Sequence, residues 1–594
     1  MEMQIRPIFP GFKKSSMDRN SIINLFLIVG FVLIALNNFA LIYHQPAGYV
    51  VDIYSQLPPF FFLTALLCYL IAGFAVFSGI VNGRMLGALI LALNHAVILL
   101  IPYMLGYYLM GRADDMSYIG EYEHISSAGS ISAWNIYPAS PIFGAIIQTL
   151  TGLPANGVAF IMPIIFSFIF VCGLYLGSRF FLNEEKQIQI VLLTSFILYL
   201  GPYHFLNVPH ALFFAYIPLY LYSFLRYIRN RSISNAVLII VPTVLIPFMH
   251  PFIVLFVFSL LLTQGMPEKF VNRFLLSDYR KDIRPLLLLI LGFFSWFIYN
   301  STLMFNFAQS YYAFIQRSTE TVLSGTVSKL SSAHLDPFSL INFIFIYYGR
   351  YIIPPIVILL GSYYVYLNRS TIQKCVKRNI ILLFIIYLIS SVIEVILFLN
   401  PIISHQPDRL TNLNFIVYAQ VPLFTLSLYV LISNNQGFIR QTILPIILIA
   451  GIWSLSFWGA FASPYTFKTS EALTYNEVDG MTWFFESRSH DLVLTPLSQL
   501  DRFQDLFDYH DRPIYMAFRS HFGYKTDGRS LIEANQIEDQ KFYAILLTTD
   551  EFLYQTVPGY KEIGRFTSDD YVRFRNDRSI DGKIYDNLNI EIYT

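Results

Sequence analysis

The residues best suited to chemistry lie in one short stretch, GRADDMSYIGEYEHI, at positions 111–125. Its acidic and imidazole side chains are Asp114, Asp115, Glu121, Glu123 and His124. A carboxylate there can take a proton from a hydroxyl as a general base. Oxygen and nitrogen ligands of this kind can also hold a divalent cation such as Mg²⁺ or Mn²⁺. The candidate ligands are Asp114, Asp115, Glu123 and His124, and the spacing does not decide between a base and a metal site.

The stretch directly follows a long apolar segment, LGALILALNHAVILLIPYMLGYYLM. Of the 594 residues of the chain, 55% are hydrophobic and only 13% are charged, whereas soluble globular proteins have about 25% charged residues. The mean hydropathy is +0.54. Because several apolar runs exceed the roughly 18 residues that cross a bilayer, the composition predicts a polytopic α-helical membrane protein.

The apolar runs predict about 13 transmembrane helices. Their ranges are 21–43, 58–79, 86–110, 153–178, 188–203, 210–225, 235–248, 252–264, 285–305, 338–367, 379–399, 412–433 and 441–459. Pro247 and His250-Pro251 interrupt one run, which we interpret as a hairpin with His250 at its outer turn. Two long outer loops remain, 111–152 and 306–337, and such loops are common places for binding and catalytic residues. Within the first, NIYPASPIFGAIIQTLTGLP is typical of an amphipathic helix at the membrane interface.

Basic residues predict the orientation. With the N-terminus inside, predicted cytoplasmic segments hold 20 Lys or Arg, and predicted outer loops hold only Arg112, Arg317, Lys329 and Arg409. Cytoplasmic loops are enriched in Lys and Arg. The split therefore predicts a multi-pass protein of the plasma (cell) membrane, with the first long loop and the C-terminal segment on the extracytoplasmic side.

Residues 460–594 differ in character from residues 1–459. They hold 14 Lys and Arg against 22 Asp and Glu, a net charge of −8, whereas the first 459 residues have a net charge of +9. This segment predicts a soluble extracytoplasmic α/β domain. TYNEVDGMTWFFESR predicts a helix, and DLVLTP and FYAILLTT predict buried strands that are each followed by a helix. GRFTSDDYVRFRND and KIYDNLNIEIYT alternate in the manner of hairpin strands.

Three features together resemble the GT-C superfamily of membrane glycosyltransferases. They are the acidic pair in DDMSYIGEYEHISSAG…YP, the many-span core with its N-terminus inside, and the soluble outer domain after the last span. The stretch around Asp114 and the tail segments EVDGMTWF and KIYDNLNIEIY are similar to archaeal members. In the family one span usually precedes the acidic loop, whereas three precede it here. RSTETV around Glu320 is similar to an acidic loop motif of single-subunit oligosaccharyltransferases, but the tail has only Trp483 where those enzymes have WWD.

The resemblance implies a function and a set of roles. The donor would be a sugar on a polyprenyl (dolichyl) phosphate, and the acceptor a glycan, a lipid or a protein. An aspartate of the first outer loop, Asp115 or Asp114 with Asp115 favoured, would be the base of an inverting transfer. Further substrate-binding candidates are Glu121, Glu123, His124 and Glu320.

A polyprenyl-phosphate donor would need cations at the outer face. Arginine suits this role because its planar fork binds phosphate oxygens in pairs. The candidates are Arg409, in SHQPDRLTNLNF, and Arg350, in FIYYGRYIIPP. The alternative for both is an ion pair or snorkelling to the interface. His250 could contact phosphate, bind a metal, relay a proton or cap a helix break.

Two other functions fit the same composition. A transporter, above all a flippase for lipid-linked sugars, would be built from repeats with interrupted helices at the midplane, and no repeat is visible in the sequence. A non-catalytic envelope scaffold would not depend on Asp114 or Asp115. Nothing in the sequence indicates a nucleic-acid partner.

Overall fold

A computed structural model describes the chain in segments. The described residues are 19–44, 48–262, 282–316, 331, 334–368, 370, 372–399, 416–433, 437–490, 492–495, 500–508, 515–517, 541–560, 568–578, 580 and 582–594. Within them the first 459 residues are almost entirely helical. The helices are α1 (Arg19–Tyr43), α2 (Phe61–Val76), α3 (Val81–Met104), α4 (Asp114–Ala128), α5 (Ala139–Thr151), α6 (Ala155–Ser178), α7 (Glu185–Thr194), α8 (Pro209–Phe214), α9 (Ile217–Arg229), α10 (Ile233–Met249), α11 (Pro251–Leu262), α12 (Arg284–Tyr299), α13 (Ser301–Ile315), α14 (Pro337–Leu367), α15 (Lys374–Leu399), α16 (Val417–Ser433) and α17 (Leu444–Trp458).

Seven helical segments of the described part are long and apolar enough to cross a membrane. They are Asn20–Tyr43, Val81–Met104, Ala155–Ser178, Pro209–Arg229, Pro337–Leu367, Val376–Ile396 and Ile439–Trp458. Shorter apolar helices accompany them, namely Phe61–Val76, Ala139–Thr151, Ile233–Met249, Pro251–Leu262, Arg284–Tyr299 and Val417–Ser433. The chain is thus a multi-pass membrane protein by length and composition, and the number of 13 crossings stays a prediction.

Several predicted spans are broken in the structure. The run 188–203 is helical only as α7 and continues into turns and a short 3-10 helix, Gly201–His204. The run 285–305 divides at Asn300, whose φ of −89° and ψ of 86° end α12. His250, with φ −174° and ψ 142°, separates α10 from α11. The prediction of a helix break at His250 is confirmed, and α10 and α11 pack against each other.

The described part of the C-terminal segment contains both helices and strands. Its elements are α18 (Tyr475–Ser487), β1 (Leu492–Leu494), α19 (Leu500–Leu506), β2 (Tyr515–Ala517), β3 (Tyr543–Leu547), α20 (Thr548–Thr556), α21 (Ser568–Arg575), β4 (Lys583–Asp586) and β5 (Ile590–Tyr593). The five-stranded sheet has the order β2-β1-β3-β5-β4. β1 is parallel to β2 and β3, and β5 is antiparallel to β3 and β4. The hairpin predicted over KIYDNLNIEIYT is confirmed as β4 and β5.

The hairpin strand predicted over GRFTSDDYVRFRND is wrong, because its described part is the helix α21. Tyr571 and Phe574 are three residues apart and fully buried, which places both on one face of a helix. The charges also favour a helix, since Asp569 and Asp570 lie in the first turn and Arg573 and Arg575 near the last, in the order that the helix dipole stabilises.

A buried clamp joins the C-terminal segment to the first long loop. Leu109 and Leu473 form an isolated antiparallel bridge. Three residues on, Arg112 donates from Nη2 to both carboxylate oxygens of Glu477, at 2.8 and 2.9 Å. The side chain of Glu477 is completely buried. We call Leu109, Arg112, Leu473 and Glu477 the clamp, and it brings the C-terminal segment against α4.

Candidate functional site

The acidic stretch of the first long loop is a helix rather than an irregular loop. α4 begins directly at Asp114, and the two aspartates occupy its first turn, where the helix dipole stabilises negative charge. Ala113, just before it, has φ 57° and ψ −125°. A non-glycine residue in this conformation costs roughly 1–3 kcal/mol and is usually held by its surroundings near functional sites. Gly129, in the left-handed conformation, ends the helix.

Asp115 points into the protein and is 1% exposed. Its Oδ1 accepts a hydrogen bond from the backbone N–H of Asn207. Its Oδ2 is buried and has no hydrogen-bond partner among the described residues. Burial raises the pKa of this carboxyl to about 7, although the hydrogen bonds from Asn207 oppose the shift. Asp115 therefore combines an oriented carboxyl, an unpartnered oxygen and a pKa near neutrality.

Asn207 is itself held in place from two sides. Its Nδ2 donates to the carbonyl oxygen of Ala159 at 2.9 Å, and its Oδ1 accepts from the hydroxyl of Tyr122 at 3.3 Å. Tyr122 lies on α4 and packs against Gly144 of α5, where an added Cβ would come within 2.6 Å of the ring. Asp115 is therefore positioned by a network that ties together α4, α5, α6 and the segment before α8.

Asp114 faces the C-terminal segment instead. Its Oδ1 lies 2.7 Å from Nη2 of Arg502 on α19. The other terminal nitrogen of Arg502 donates to Ser117 Oγ at 3.1 Å, and Ser117 donates to Asp505 Oδ2 at 2.5 Å. About 30% of each side chain of the ion pair is exposed. The two neighbouring aspartates thus have different partners, one inside the membrane domain and one in the C-terminal segment.

The remaining candidates of the stretch make structural contacts. Glu121 is buried and accepts hydrogen bonds from Ser132 N at 2.8 Å and Asn135 Nδ2 at 3.2 Å, so it holds the connection between α4 and α5. Glu123 accepts from Gln148 of α5. His124 Nδ1 lies 2.9 Å from Asp508 Oδ2. None of these three contacts involves Asp115.

The candidate metal ligands do not converge. Asp114 is paired with Arg502, Glu123 with Gln148 and His124 with Asp508. No group of three or more His, Cys, Asp or Glu that could hold a metal ion occurs among the residues that the structure describes. In the structure, the four candidate ligands therefore do not form a single metal site.

Arg350 is enclosed within the membrane domain. It is completely buried, and Nη1 donates to the carbonyl oxygen of Gly459 at 3.1 Å. Its guanidinium carbon lies 4.7 Å from the ring centroid of Tyr351. Nε and Nη2 have no hydrogen-bond partner among the described residues. Arg350 would have to become exposed before it could meet a phosphate at the outer face.

His250 caps the break that it forms. Its Nδ1 accepts from Phe252 N at 3.2 Å. Its ring lies 4.7 Å from Tyr137, at the start of α5, and 5.2 Å from His210. His250 therefore contacts the first long loop through Tyr137. Of the roles considered for it, capping of a helix break agrees with its hydrogen bond with Phe252. Arg409 and Glu320 lie outside the described residues.

Reasoning from the sequence missed three residues next to the acidic pair. Asn207 occurs between two histidines in HFLNVPHA, and only its position reveals its role. Arg502 and Asp505 come from the C-terminal domain, almost 400 residues after Asp114. Spacing within one stretch gives no signal for partners so far apart in the chain.

Solved structures include several chains that are similar to this one. No protein-family model and no curated protein matches the chain. Among solved structures, the chain is similar to ArnT from Cupriavidus metallidurans, crystallised with undecaprenyl phosphate. The alignment covers 86% of this chain and 98% of that one, at 10% sequence identity and a TM-score of 0.47.

Proposed function

We propose that the protein is a membrane glycosyltransferase of the GT-C type. It transfers a sugar from a polyprenyl-phosphate-linked donor to an acceptor hydroxyl on the extracytoplasmic side. The observation that carries this proposal is Asp115, a buried carboxyl with one unpartnered oxygen and a pKa raised by burial to about 7. A general base works best when its pKa lies near the working pH.

In the proposed reaction Asp115 is the base. The acceptor oxygen forms a bond to the anomeric carbon as the bond from that carbon to the phosphate oxygen breaks. The electron pair of the broken bond leaves with the polyprenyl phosphate. The acceptor proton moves to Oδ2 of Asp115, while Asn207 holds Oδ1. A single displacement of this kind inverts the anomeric carbon.

Asp114 has a different role in this proposal. Its ion pair with Arg502 keeps the first turn of α4 attached to the C-terminal domain. Removing its charge would weaken that attachment and leave the base present. Asp115 is therefore the catalytic residue, and Asp114 is a positioning residue.

The test uses purified full-length protein in lipid. It is supplied with a panel of polyprenyl-phosphate-linked sugars and a membrane glycan extract, and loss of the donor is measured. We expect Asp115→Asn to reduce donor consumption by about 10²-fold or more, the contribution typical of a general base. Asp114→Asn should reduce it less, and Asp569→Asn, an exposed carboxylate of α21, should leave it unchanged.

Other outcomes would point elsewhere. A donor consumed equally by wild type and Asp115→Asn would remove Asp115 from the mechanism. A donor left intact across the panel, but moved between leaflets of a vesicle by the same protein, would favour the flippase. Neither consumption nor movement, together with unaltered cell-envelope assembly in Asp115→Asn cells, would favour the scaffold.

A further inference from the structure

Two of the contacts between the C-terminal segment and the rest of the chain have opposite character, and they lie on either side of Ala113. The clamp is on one side. Besides Arg112, Glu477 accepts hydrogen bonds from the backbone N–H and the hydroxyl of Thr474, at 2.9 and 3.0 Å. Arg112 also donates to the carbonyl oxygen of Ala472 at 2.9 Å and lies 5.6 Å from the ring centroid of Tyr49. Removing one partner of a buried, fully hydrogen-bonded pair is strongly destabilising.

The second contact is polar and partly exposed. We call it the seam, and it joins the outer face of α4 to α19 and the residues that follow it. Its pairs are Asp114 with Arg502, Ser117 with Arg502 and Asp505, and His124 with Asp508. The spacing of Asp114, Ser117, Gly120 and His124 places them on one helical face. The side chains of the seam's ion pairs are 21–40% exposed, and ion pairs open to solvent are weaker and screened by salt, so we expect the seam to separate more easily than the fully buried clamp.

Although the seam is polar, the backbones of α4 and α19 are packed closely together there. A Cβ at Gly120 would collide with the carbonyl oxygen of Asp505, so α4 and α19 meet at backbone distance. Phe503 of α19 and Phe507, directly after it, lie on a different face of the helix from Arg502 and Asp505. Phe503 and Leu506 are buried, and the ring of Phe507 packs 5.8 Å from that of Phe485 on α18. α19 and the residue that follows it therefore pack on α18 through aromatic rings and meet α4 through side-chain ion pairs and close backbone packing.

Ala113 lies between the two contacts. Arg112 belongs to the clamp and Asp114 to the seam, and the residue between them has φ 57° and ψ −125°. Ala113 therefore joins a firmly held segment to one that can be released. In hinge motions, a few residues of this kind absorb the change in backbone dihedral angles.

Asp115 needs such a movement. It is 1% exposed, and a base must come within about 3 Å of the hydroxyl that it deprotonates. We propose that α4 is a gate for Asp115: the seam opens, the clamp holds, and α4 turns about Ala113 so that a substrate reaches the carboxyl. The C-terminal domain closes the gate through Arg502, Asp505 and Asp508. This inference rests on the proposed function only in treating Asp115 as the group that a substrate must reach.

The test measures access to Asp115 without requiring turnover. The hydrophobic reagent dicyclohexylcarbodiimide adds to protonated carboxyls, and peptide mass spectrometry locates the adduct. The full chain in lipid is labelled at about pH 5, where a carboxyl with a pKa near 7 is protonated, so small changes in its pKa have no effect. Glu394, in α15 and outside clamp and seam, serves as the internal reference.

Two double cysteine variants allow each contact to be locked by a disulfide. Ser117→Cys with Asp505→Cys places the disulfide across the seam, and Leu109→Cys with Leu473→Cys places it across the clamp. We expect the oxidised seam variant to label Asp115 about tenfold more slowly than the same variant after reduction, as for a site reached by local opening. Oxidation of the clamp variant should leave the rate unchanged. Each comparison is made within one sequence, so its charges are matched.

A variant without new cysteines keeps the test decisive if the seam disulfide does not form. Arg502→Ala should label Asp115 faster than wild type, whereas Arg573→Ala, an exposed arginine of α21 with an ion pair at 3.7 Å, should not. Equal labelling of Asp115 in the locked and reduced seam, or in Arg502→Ala and Arg573→Ala, would overturn the gate. The gate and the proposed function can fail independently. If the seam controls the labelling of Asp115 in a protein that shows no transferase activity, the gate is supported and the proposed function is not.

Discussion

At the scale of single residues, Asp114 and Asp115 acquire different chemistry from one helical step. Successive residues of an α-helix differ by about 100° in direction. Asp115 consequently turns inward to Asn207, where burial raises its pKa to about 7. Asp114 turns toward Arg502, which compensates its charge at 2.7 Å. Two carboxylates of identical type are thus divided into a candidate base and an anchor by their direction alone.

The raised pKa of Asp115 predicts how stability depends on pH. The unfolded carboxyl has a pKa near 3.9, and the folded one has a pKa of about 7, so the folded state binds the proton more tightly. Stability of the wild type should therefore fall as pH rises between about 4 and 7, and level off above. Asp115→Asn lacks this dependence and should be more stable than wild type at pH 8, by up to about 4 kcal/mol.

Thermal unfolding in detergent over a pH series checks this. Asp569→Asn is the matched control, because it removes an exposed carboxylate from the same protein. Parallel curves for wild type and Asp115→Asn across the series would show that Asp115 is not protonated preferentially in the folded state.

At the scale of elements, α4 shows what the sequence could and could not predict. The sequence predicts a polar loop with an acidic site, and Asp115 of the acidic pair is buried, whereas Asp114 is partly exposed. The helix itself is supported by Met116, Ile119 and Tyr122, all buried and three residues apart. Its backbone start at Ala113 and its outer partner α19 were not predictable, since both depend on contacts with distant residues. Periodic patterns identify an element, but long-range pairs determine which way its side chains face.

The spans follow the same rule. The ends of α6 and α14 were predicted within two residues, whereas α3 begins five and ends six residues earlier than the predicted run 86–110. The run 285–305 was predicted as a single helix and is divided at Asn300. Hydropathy averages over a window of about 19 residues and cannot detect a single residue that leaves the helical conformation.

The clamp gives a prediction at this scale. Glu477→Ala should leave Arg112 without its buried partner and destabilise the attachment of the C-terminal domain by about 3–5 kcal/mol. The matched control is Glu185→Ala, which breaks the exposed pair of Glu185 with Arg84 and should change stability by less than about 1 kcal/mol. Limited proteolysis of the full chain in lipid should release residues 460–594 faster from Glu477→Ala only. Equal release from both variants would contradict a stabilising role for the clamp.

At the scale of the whole molecule, the clamp also restricts the topology. Arg112 and Glu477 touch, so the first long loop and the C-terminal domain must lie on the same side of the membrane. The chain therefore crosses an even number of times between them. Five of the long apolar segments lie in that interval, from Ala155–Ser178 to Ile439–Trp458. Because five is odd, a chain in which all five cross the membrane requires an odd number of further crossings in the interval.

The 13-crossing prediction satisfies this condition. It places ten crossings between Arg112 and Glu477, of which five are shorter or interrupted runs. Broken helices at membrane depth are tolerated where the freed backbone groups are buried in protein or face water. Asn300 and His250 mark two such breaks. Asn300 lies beside Trp296, and His250 lies beside Tyr137. The ring centroids of Trp296 and Tyr137 are 6.1 Å apart.

We therefore predict that the loop after α4 and the C-terminal hairpin face the outside, and that the turn before α10 faces the cytoplasm. In a chain without its native cysteines, single substitutions Ser130→Cys, Leu588→Cys and Asn230→Cys sample these three places, all of them exposed. A membrane-impermeant maleimide added to intact cells should label the first two and reach the third only after lysis. Labelling of the third alone would invert the orientation and place the candidate base on the cytoplasmic side. Labelling of only one of the first two would contradict the clamp itself, because residues joined through Arg112 and Glu477 cannot lie on opposite sides of a bilayer roughly 30 Å thick.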